Sequence, residues 1–204
     1  GYLNGLLVGA LYFTGFTGLL LVCSIYLQDG RSHTPLEAGL LIIPFALGSA
    51  ISAPIAGRYV SDAGRRLTVG ALVAMITGVL LVALLVPGRD PLWPWLVPTL
   101  LLAGLGGGAV VSPNITLTLA EVPPRMGGAA GGALQTGQRI GASIGAAVLV
   151  TVYQVTAGRG AGGTSSDGTA LRAALLTAVV LLSAALLMAI RALRDERAQP
   201  AVSR

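Results

Sequence analysis

The sequence has 204 residues, of which 54% are hydrophobic and only 10% are charged, and its mean hydropathy is +0.80. Soluble domains carry about 25% charged residues, so the composition excludes an ordinary soluble domain and indicates a membrane protein that contacts a lipid bilayer. The net charge of +5 comes from 13 arginines without any lysine. Because they lie mainly at the ends of apolar runs and not on one basic face, we expect no nucleic-acid partner.

Residue types that carry enzyme or metal chemistry are sparse. The single Cys23 lies in an apolar run, and the single His33 lies in a polar connection. A catalytic or metal site needs several such groups at one place, and the sequence shows no cluster of them. We therefore expect no enzyme activity, no metal and no cofactor.

Six apolar runs are long enough to cross a bilayer, which takes about 20 residues in a helix. They cover approximately residues 5–26, 36–57, 67–86, 93–119, 128–154 and 170–190. The sequence thus predicts an all-α membrane domain over residues 1–190 and a mixed-charge cytoplasmic tail over 191–204 that frays into solvent. Because the chain starts without methionine and directly in apolar sequence, we expect it to be a piece of a longer protein.

The arginines outside the spans divide unevenly between the two sides of the membrane. With six spans, one side receives eight of them: Arg58, Arg65, Arg66, Arg125, Arg191, Arg194, Arg197 and Arg204. The other side receives four: Arg31, Arg89, Arg159 and Arg172. The positive-inside rule assigns the richer side to the cytoplasm, so we expect both termini there.

The spans differ in polarity, and the difference repeats after three spans. The first, second, fourth and fifth contain polar residues or prolines, whereas the third and sixth are almost purely aliphatic past their ends. This order predicts an inverted repeat of two three-helix units, with the third helix of each unit outside, facing lipid. A chance distribution of polarity is the alternative.

The fifth span carries the most unusual stretch, ALQTGQRIGASIG, from Ala133 to Gly145. Gln135, Arg139 and Ser143 are four residues apart and share one helical face, whereas small residues such as Gly141 share another. An arginine at the centre of a spanning helix costs roughly 2.5–3.5 kcal/mol, so we expect Arg139 to face a hydrated interior. The alternative is that it only donates to backbone carbonyls near Pro113–Asn114.

We expect an open concave surface formed by the polar sides of the first, second, fourth and fifth spans. The candidate substrate-pathway residues on it are Tyr12, Asn114, Gln135, Gln138, Arg139 and Ser143.

Two stretches resemble the major facilitator superfamily, and within it the second half of the fourteen-span multidrug:proton antiporters. The first is YLQDGRSHTPLEAGLLIIPFALGSAISAPIAGRYVSDAGRR, from Tyr26 to Arg66; the second is LAEVPPRMGGAAGGALQTGQRIGASIGAAVLVTV. The resemblance implies one six-span half of that fold, a C-terminal half that needs an N-terminal half as its partner.

The resemblance also implies a cytoplasmic loop motif between the second and third spans, carried by Gly57, Asp62, Gly64, Arg65 and Arg66. The family pattern has an acidic residue four positions after the first glycine, where this sequence has a serine, and Asp62 falls one place later. The loop either contributes to conformational gating or acts only as a topology signal.

The function implied by the resemblance is secondary transport, namely the export of small organic compounds or drugs in exchange for protons. Its proton-coupling carboxylate is expected in the other half, because all eight acidic residues here lie at or beyond span ends. An exporter of an endogenous metabolite and a non-transport membrane subunit are the alternatives.

Overall fold

A computed structural model describes residues 2–159 and 164–198, and these residues form six long α-helices. Their bounds are α1 Tyr2–Ile25, α2 Pro35–Ala63, α3 Arg65–Leu85, α4 Trp93–Leu119, α5 Gly127–Arg159 and α6 Thr164–Ala198. A π-helical turn, Tyr26–Gly30, follows α1, and a 3-10 turn, Pro124–Met126, precedes α5. All six helices are long and apolar enough to cross a membrane, which confirms the predicted class.

The helices are longer than the predicted spans. α2 begins where the Thr34 side chain accepts a hydrogen bond from the Glu37 amide and the Glu37 carboxylate accepts one from the Thr34 amide, a reciprocal cap. It continues past the predicted end at residue 57 to Ala63, because nothing in the sequence stops it before Gly64.

The predicted tail is partly helical. α6 continues through residues 191–198, and Ala192 is only 5% exposed. The expectation that the tail frays from residue 191 is therefore wrong for this part, because residues 191–198 are mostly strong helix formers and contain neither glycine nor proline. Residues 199–204 lie outside the described part of the chain.

The helix contacts confirm the three-plus-three repeat. α1 packs along α5 as α4 packs along α2, and α1 contacts α6 as α4 contacts α3. If α1, α2 and α3 are exchanged with α4, α5 and α6 respectively, the α1–α5 pair becomes the α4–α2 pair and the α1–α6 pair becomes the α4–α3 pair. Since each unit has three spans, the second unit starts from the opposite side, so the repeat is inverted. One pair departs from the symmetry: α5 packs against α6, but α2 barely touches α3.

Glycines allow two close helix contacts, α1 with α5 and α2 with α4. In α5, an added Cβ at Gly141 would meet the Ala10 carbonyl oxygen of α1, and one at Gly145 would meet that of Thr14. In α4, Gly104 lies in the same way against the backbone of α2. The predicted small-residue face of α5 is thus a close helix contact, as packing in lipid requires.

Within this chain α3 and α6 are more buried than α2 and α5, and the expectation that the third helix of each unit faces lipid in the whole transporter stays a prediction. In the most apolar window of each helix, 44% of α3 and 33% of α6 is buried, compared with 22% for α2 and for α5. The side chains of Leu72, Met75, Leu175 and Leu182 are fully buried. Aliphatic composition could not distinguish these positions from lipid-facing ones, because a helix neighbour and a lipid tail are equally apolar.

The bundle has two polar ends, each tied by an arginine. At the Arg31 end, which comprises the connections 26–34 and 86–92, the guanidinium donates to the Arg89 carbonyl oxygen at 3.1 Å and lies 3.7 Å from the Asp90 carboxylate. At the Arg65 end, which comprises the connections 63–65 and 120–126, Arg65 forms an ion pair with Glu121.

Candidate functional site

The polar face of α5 is exposed along its length. Gln135, Arg139 and Ser143 are all exposed, whereas Gly141 and Gly145 are buried against α1. The structure thus separates a packing face from an open face on the same helix, as the spacing predicted. The open face holds the one arginine that lies well inside a spanning helix in the described part of the chain.

Arg139 has no side-chain partner in the described part of the chain. It follows the first residue of α5 by twelve positions, or roughly 18 Å at 1.5 Å per residue. Its guanidinium forms neither a hydrogen bond nor an ion pair with residues 2–159 or 166–194, whose side chains the structure describes; the Ser143 hydroxyl donates to the Arg139 backbone carbonyl at 3.1 Å. The contact with carbonyls near Pro113–Asn114, considered as an alternative, is absent from this part of the chain.

Two open cavities flank this face of α5 and share Gln135 and Gln138. One, of about 360 Å³, lies between α4 and α5 and includes Ile115 and Leu119 in its lining. The other, of about 340 Å³, lies between α1 and α5 and is lined by Phe13, Thr17, Gln135, Gln138, Arg139 and Ala142. The second cavity therefore brings a cation, two amides and an aromatic ring together.

An aromatic cluster continues from that cavity into the bundle. The rings of Phe13 and Phe16 meet edge to face at 5.7 Å, the Tyr12 ring stacks on Phe16 at 5.7 Å, and Phe45 of α2 lies 5.5 Å from Phe16. These contacts include all three phenylalanines of the chain. Sequence analysis missed the cluster, although the helical spacing of residues 12, 13 and 16 was a signal for it.

Tyr12 and Asn114 do not line the open face, contrary to expectation. They are 2% and 6% exposed. The Tyr12 hydroxyl donates to the Gly107 carbonyl oxygen at 3.0 Å, and the Asn114 amide donates to that of Gly5 at 3.0 Å. Both bonds join α1 to α4, because a polar group at membrane depth finds its partner inside the bundle when it is not hydrated. Gln138 is 8% exposed at the edge of the same interface.

The loop motif between the second and third spans is mostly helical. Gly57, Asp62 and the residues between them belong to α2, and Arg65 and Arg66 begin α3. Gly64 alone connects the two helices, with φ of 52° and ψ of −139°, a conformation that favours glycine. The turn is tight, and its ψ differs from that of the left-handed helix.

The charges of the loop motif differ in their environments. The Arg65 side chain is 13% exposed and pairs with Glu121, whereas Asp62 and Arg66 are exposed. Sequence analysis placed Glu121 only at a span end and did not pair it. The ion pair joins the start of α3 to the connection that follows α4, at the Arg65 end.

The described residues contain no group of three or more His, Cys, Asp or Glu side chains that could hold a metal ion. The features that remain for function are the open face of α5, its two cavities and the aromatic cluster.

Comparison with known proteins relates most of the chain to membrane transporters. The profile of the Major Facilitator Superfamily matches residues 2–146. A "Probable actinorhodin transporter" of Streptomyces coelicolor is 33% identical over 82% of this chain and 29% of its own length. The "Puromycin resistance protein pur8" of Streptomyces alboniger is 35% identical over 68% of this chain and 28% of its own length.

The "Multidrug resistance protein Stp" of Mycobacterium tuberculosis is 33% identical over 69% of this chain and 26% of its own length. The chain thus spans less than a third of each of these relatives.

Proposed function

The chain belongs to the Major Facilitator Superfamily, a family of transporters and not of enzymes, and on this premise we propose that it is the C-terminal six-span half of a proton-driven exporter of small organic compounds. The names of the similar proteins support export of drugs or antibiotics. Transport in this superfamily uses two six-span halves around a central site near the middle of the membrane.

The observation that carries the proposal is that Arg139 is exposed inside a spanning helix and has no partner among residues 2–159 and 166–194. A guanidinium facing lipid at that depth costs roughly 2.5–3.5 kcal/mol. A water-filled pathway, closed on its other side by an N-terminal half, avoids that cost. Arg139 then balances the charge of an acidic residue in the other half and contacts substrate.

The exposed face of α2 is a second surface that could contact a protein partner, in addition to the open face of α5. Large apolar residues recur on α2 every three or four positions and are 43–72% exposed: Leu36, Leu40, Ile43, Leu47, Ile51 and Ile55. On α5, Ile140 and Ile144 are exposed beside Arg139. Such surfaces pack against either helices or lipid, but the charge of Arg139 beside Ile140 and Ile144 favours helices over lipid on α5.

The substrate class that fits the cavities is amphipathic and aromatic. The cavity of about 340 Å³ holds the Phe13 ring at one side and Arg139 with two glutamine amides at the other. Aromatic rings stack on one another at centroid distances of about 4.5–7 Å, and amides and a guanidinium bind polar substituents. A compound with an apolar ring system and a polar edge would use both.

The proposed location is the cell membrane, with both termini and the Arg65 end in the cytoplasm. The arginine distribution supports this orientation. The Arg31 end is then the outer end, and compounds leave towards it.

The test is transport by the natural full-length protein in proteoliposomes. We expect a fluorescent amphipathic dye to move against its gradient when a pH gradient is imposed, and to stop moving when a protonophore collapses that gradient. Empty liposomes and protein carrying Arg139→Leu are the controls. Dye movement at the same rate with and without the pH gradient would contradict proton antiport. If none of the tested compounds moved, export itself would be contradicted.

A further inference from the structure

A third open cavity, of about 530 Å³, lies at the Arg31 end of the bundle. Its lining comes from both connections at that end and from the starts of α2 and α4, and it includes Arg31, His33, Leu41, Asp90 and Trp93. None of these residues lines the two cavities beside α5. This Arg31-end cavity is therefore separate from the face that carries Arg139.

Arg31 ties the two walls of the Arg31-end cavity together. Its side chain, which is 16% exposed, donates to the Arg89 carbonyl oxygen at 3.1 Å and lies 3.7 Å from the Asp90 carboxylate. The next residue, Ser32, also lines the cavity and has φ of 56°. A residue other than glycine keeps such a conformation only where the surrounding contacts impose it. The cavity is thus a formed site between two connected loops.

The charge that an entering ligand meets is negative. The Asp90 side chain is 87% exposed, whereas that of Arg31 is recessed. Their separation of 3.7 Å is an ion pair beyond hydrogen-bond distance, and Asp90 accepts no hydrogen bond from the residues whose side chains the structure describes. The other arginine of these connections, Arg89, lies over the Trp95 ring at 4.1 Å. The Asp90 oxygens therefore keep their acceptor positions for a ligand.

Trp93 adds an aromatic surface to the same cavity. It is 61% exposed, and among the described side chains it has neither a stacked ring nor a cation over it, unlike Trp95. Cations bind over the faces of aromatic rings, and indole is the best of them. Leu41 contributes an apolar side chain to the lining. An accessible carboxylate and an accessible indole are thus combined in one cavity.

We propose that the Arg31-end cavity binds organic ammonium ions that carry an apolar or aromatic body. Asp90 pairs with the ammonium group, and Trp93 contacts the cation and its apolar substituents. Arg31 holds the walls in place and is a positioning residue. The inference rests on the proposed function for its role, which is to hold an exported compound at the exit after it has left the face of α5.

An anionic ligand fits this cavity less well. It would compete with Asp90 for Arg31, whose guanidinium already donates to a backbone carbonyl. It would also approach the Glu37 carboxylate, which lies 3.6 Å from His33 at the edge of the cavity. The arrangement of accessible charge therefore favours cations over phosphates and carboxylates.

A purely structural role explains only part of the arrangement. Tryptophans are common where spanning helices leave the membrane, which accounts for the exposure of Trp93 and Trp95. The contacts of Arg31 account for the connection between the two loops. Neither explanation accounts for an open cavity that places an accessible carboxylate beside an unpaired indole, whereas an ammonium ligand accounts for both groups.

The test is calorimetric titration of the natural full-length protein in detergent with benzyltrimethylammonium, a quaternary ammonium ion with a phenyl ring. We expect binding to be about tenfold weaker in Asp90→Asn and in Trp93→Leu, and to be largely retained in Asp90→Glu. Two matched controls should bind as the natural protein does. They are Asp62→Asn, at an exposed acid of the opposite end, and Trp95→Leu, at the tryptophan outside the cavity lining. Thermal unfolding checks that each variant is folded.

Phenylacetate, an anion of similar size, should not displace benzyltrimethylammonium from the natural protein. Displacement by phenylacetate would show that the site accepts anions and would overturn the proposal. The proposal is also overturned if the natural protein does not bind benzyltrimethylammonium, or if Asp90→Asn and Trp93→Leu bind it as tightly as the natural protein does.

Export is measured separately in proteoliposomes. Benzyltrimethylammonium added on the side of the Arg31 end should slow dye export by the natural protein, and should slow export by Asp90→Asn protein less. Equal slowing of the two proteins, or none, would overturn the exit role. A protein that binds the cation as expected but exports no compound would contradict the proposed function and leave the site standing. Export by a protein whose binding ignores Asp90 and Trp93 would contradict the site alone.

Discussion

The Tyr12 hydroxyl donates a hydrogen bond of 3.0 Å to the carbonyl oxygen of Gly107, and this bond connects the two helices, α1 and α4, that correspond to each other in the inverted repeat. Both groups lie in the interior, where water does not replace the bond. The helices that begin the two units are therefore joined directly, side chain to backbone, near the aromatic cluster.

Removal of that bond should destabilise the bundle without removing the fold. Tyr12→Phe keeps the stacked ring but removes the hydrogen bond to the Gly107 carbonyl, which contributes about 0.5–1.5 kcal/mol. We expect a lower Tm for the purified natural protein. Tyr59→Phe, at a residue that is 58% exposed, is the matched control and should leave Tm unchanged. If Tyr12→Phe and Tyr59→Phe had the same Tm, the Tyr12 hydroxyl would be hydrated in the folded protein.

A methyl group added at the contact of α1 with α5 should be far more damaging. Gly145→Ala places a Cβ against the Thr14 carbonyl oxygen, and the helices must move apart. Gly131→Ala, in the same helix, meets nothing within 4 Å and should be neutral or stabilising by up to about 1 kcal/mol. Yield of folded protein after size-exclusion chromatography, together with Tm, measures both. Normal yield and Tm for Gly145→Ala would contradict this close contact.

Arg139→Leu should abolish export while expression and membrane insertion stay near normal. The leucine removes the charge cost of the exposed face but also removes the donor that faces the cavity. Dye efflux from cells, corrected for protein amount by immunoblot, measures the effect. Arg159→Leu, which removes an exposed arginine at the end of the same helix and outside the cavities, should export normally.

The outcomes for Arg139 separate two roles. Normal efflux by a well-expressed Arg139→Leu protein would exclude a functional role of the guanidinium. Loss of the protein itself would assign Arg139 to structure. Arg139→Lys, which keeps the charge but not the planar fork of donors, should retain part of the activity if charge balance is the main contribution.

The proposed orientation is tested by thiol labelling of intact cells. Ser32 and Ser61 are both exposed and lie at opposite ends of the bundle, and the buried Cys23 is replaced by serine in the background. A membrane-impermeant maleimide should label Ser32→Cys from outside and Ser61→Cys only after the cells are opened. The reverse pattern would invert the assigned topology.

The sequence predicted the helices well because each span must satisfy its backbone internally, which leaves a long apolar run as a strong signal. It also predicted the two faces of α5, since Arg139 and Gly141 have different positions on a helix of known period. It failed for Tyr12 and Asn114, because a polar residue in a span faces either water or a backbone carbonyl, and only the neighbouring helix decides which. The partners Gly107 and Gly5 are about a hundred residues away in the chain.

Other features depend on contacts that no local pattern contains. The ion pair of Arg65 with Glu121 joins two residues that are 56 positions apart in the chain. The contact between α3 and α6 likewise has no signal in their aliphatic composition, because a neighbouring helix and a lipid tail are equally apolar.

Gly64 is a one-residue connection between α2 and α3. α2 lies mainly on α4 and barely touches α3, so a tilt of α2 meets little resistance from α3 and is taken up by the two backbone torsions of one residue. Any L-amino acid there would stiffen the joint, because a positive φ costs it about 1–2 kcal/mol. Just beyond the joint, the ion pair of Arg65 with Glu121 fixes the start of α3. The start of α3 is thus held to the connection that follows α4, and the whole change of chain direction between α2 and α3 falls on one glycine.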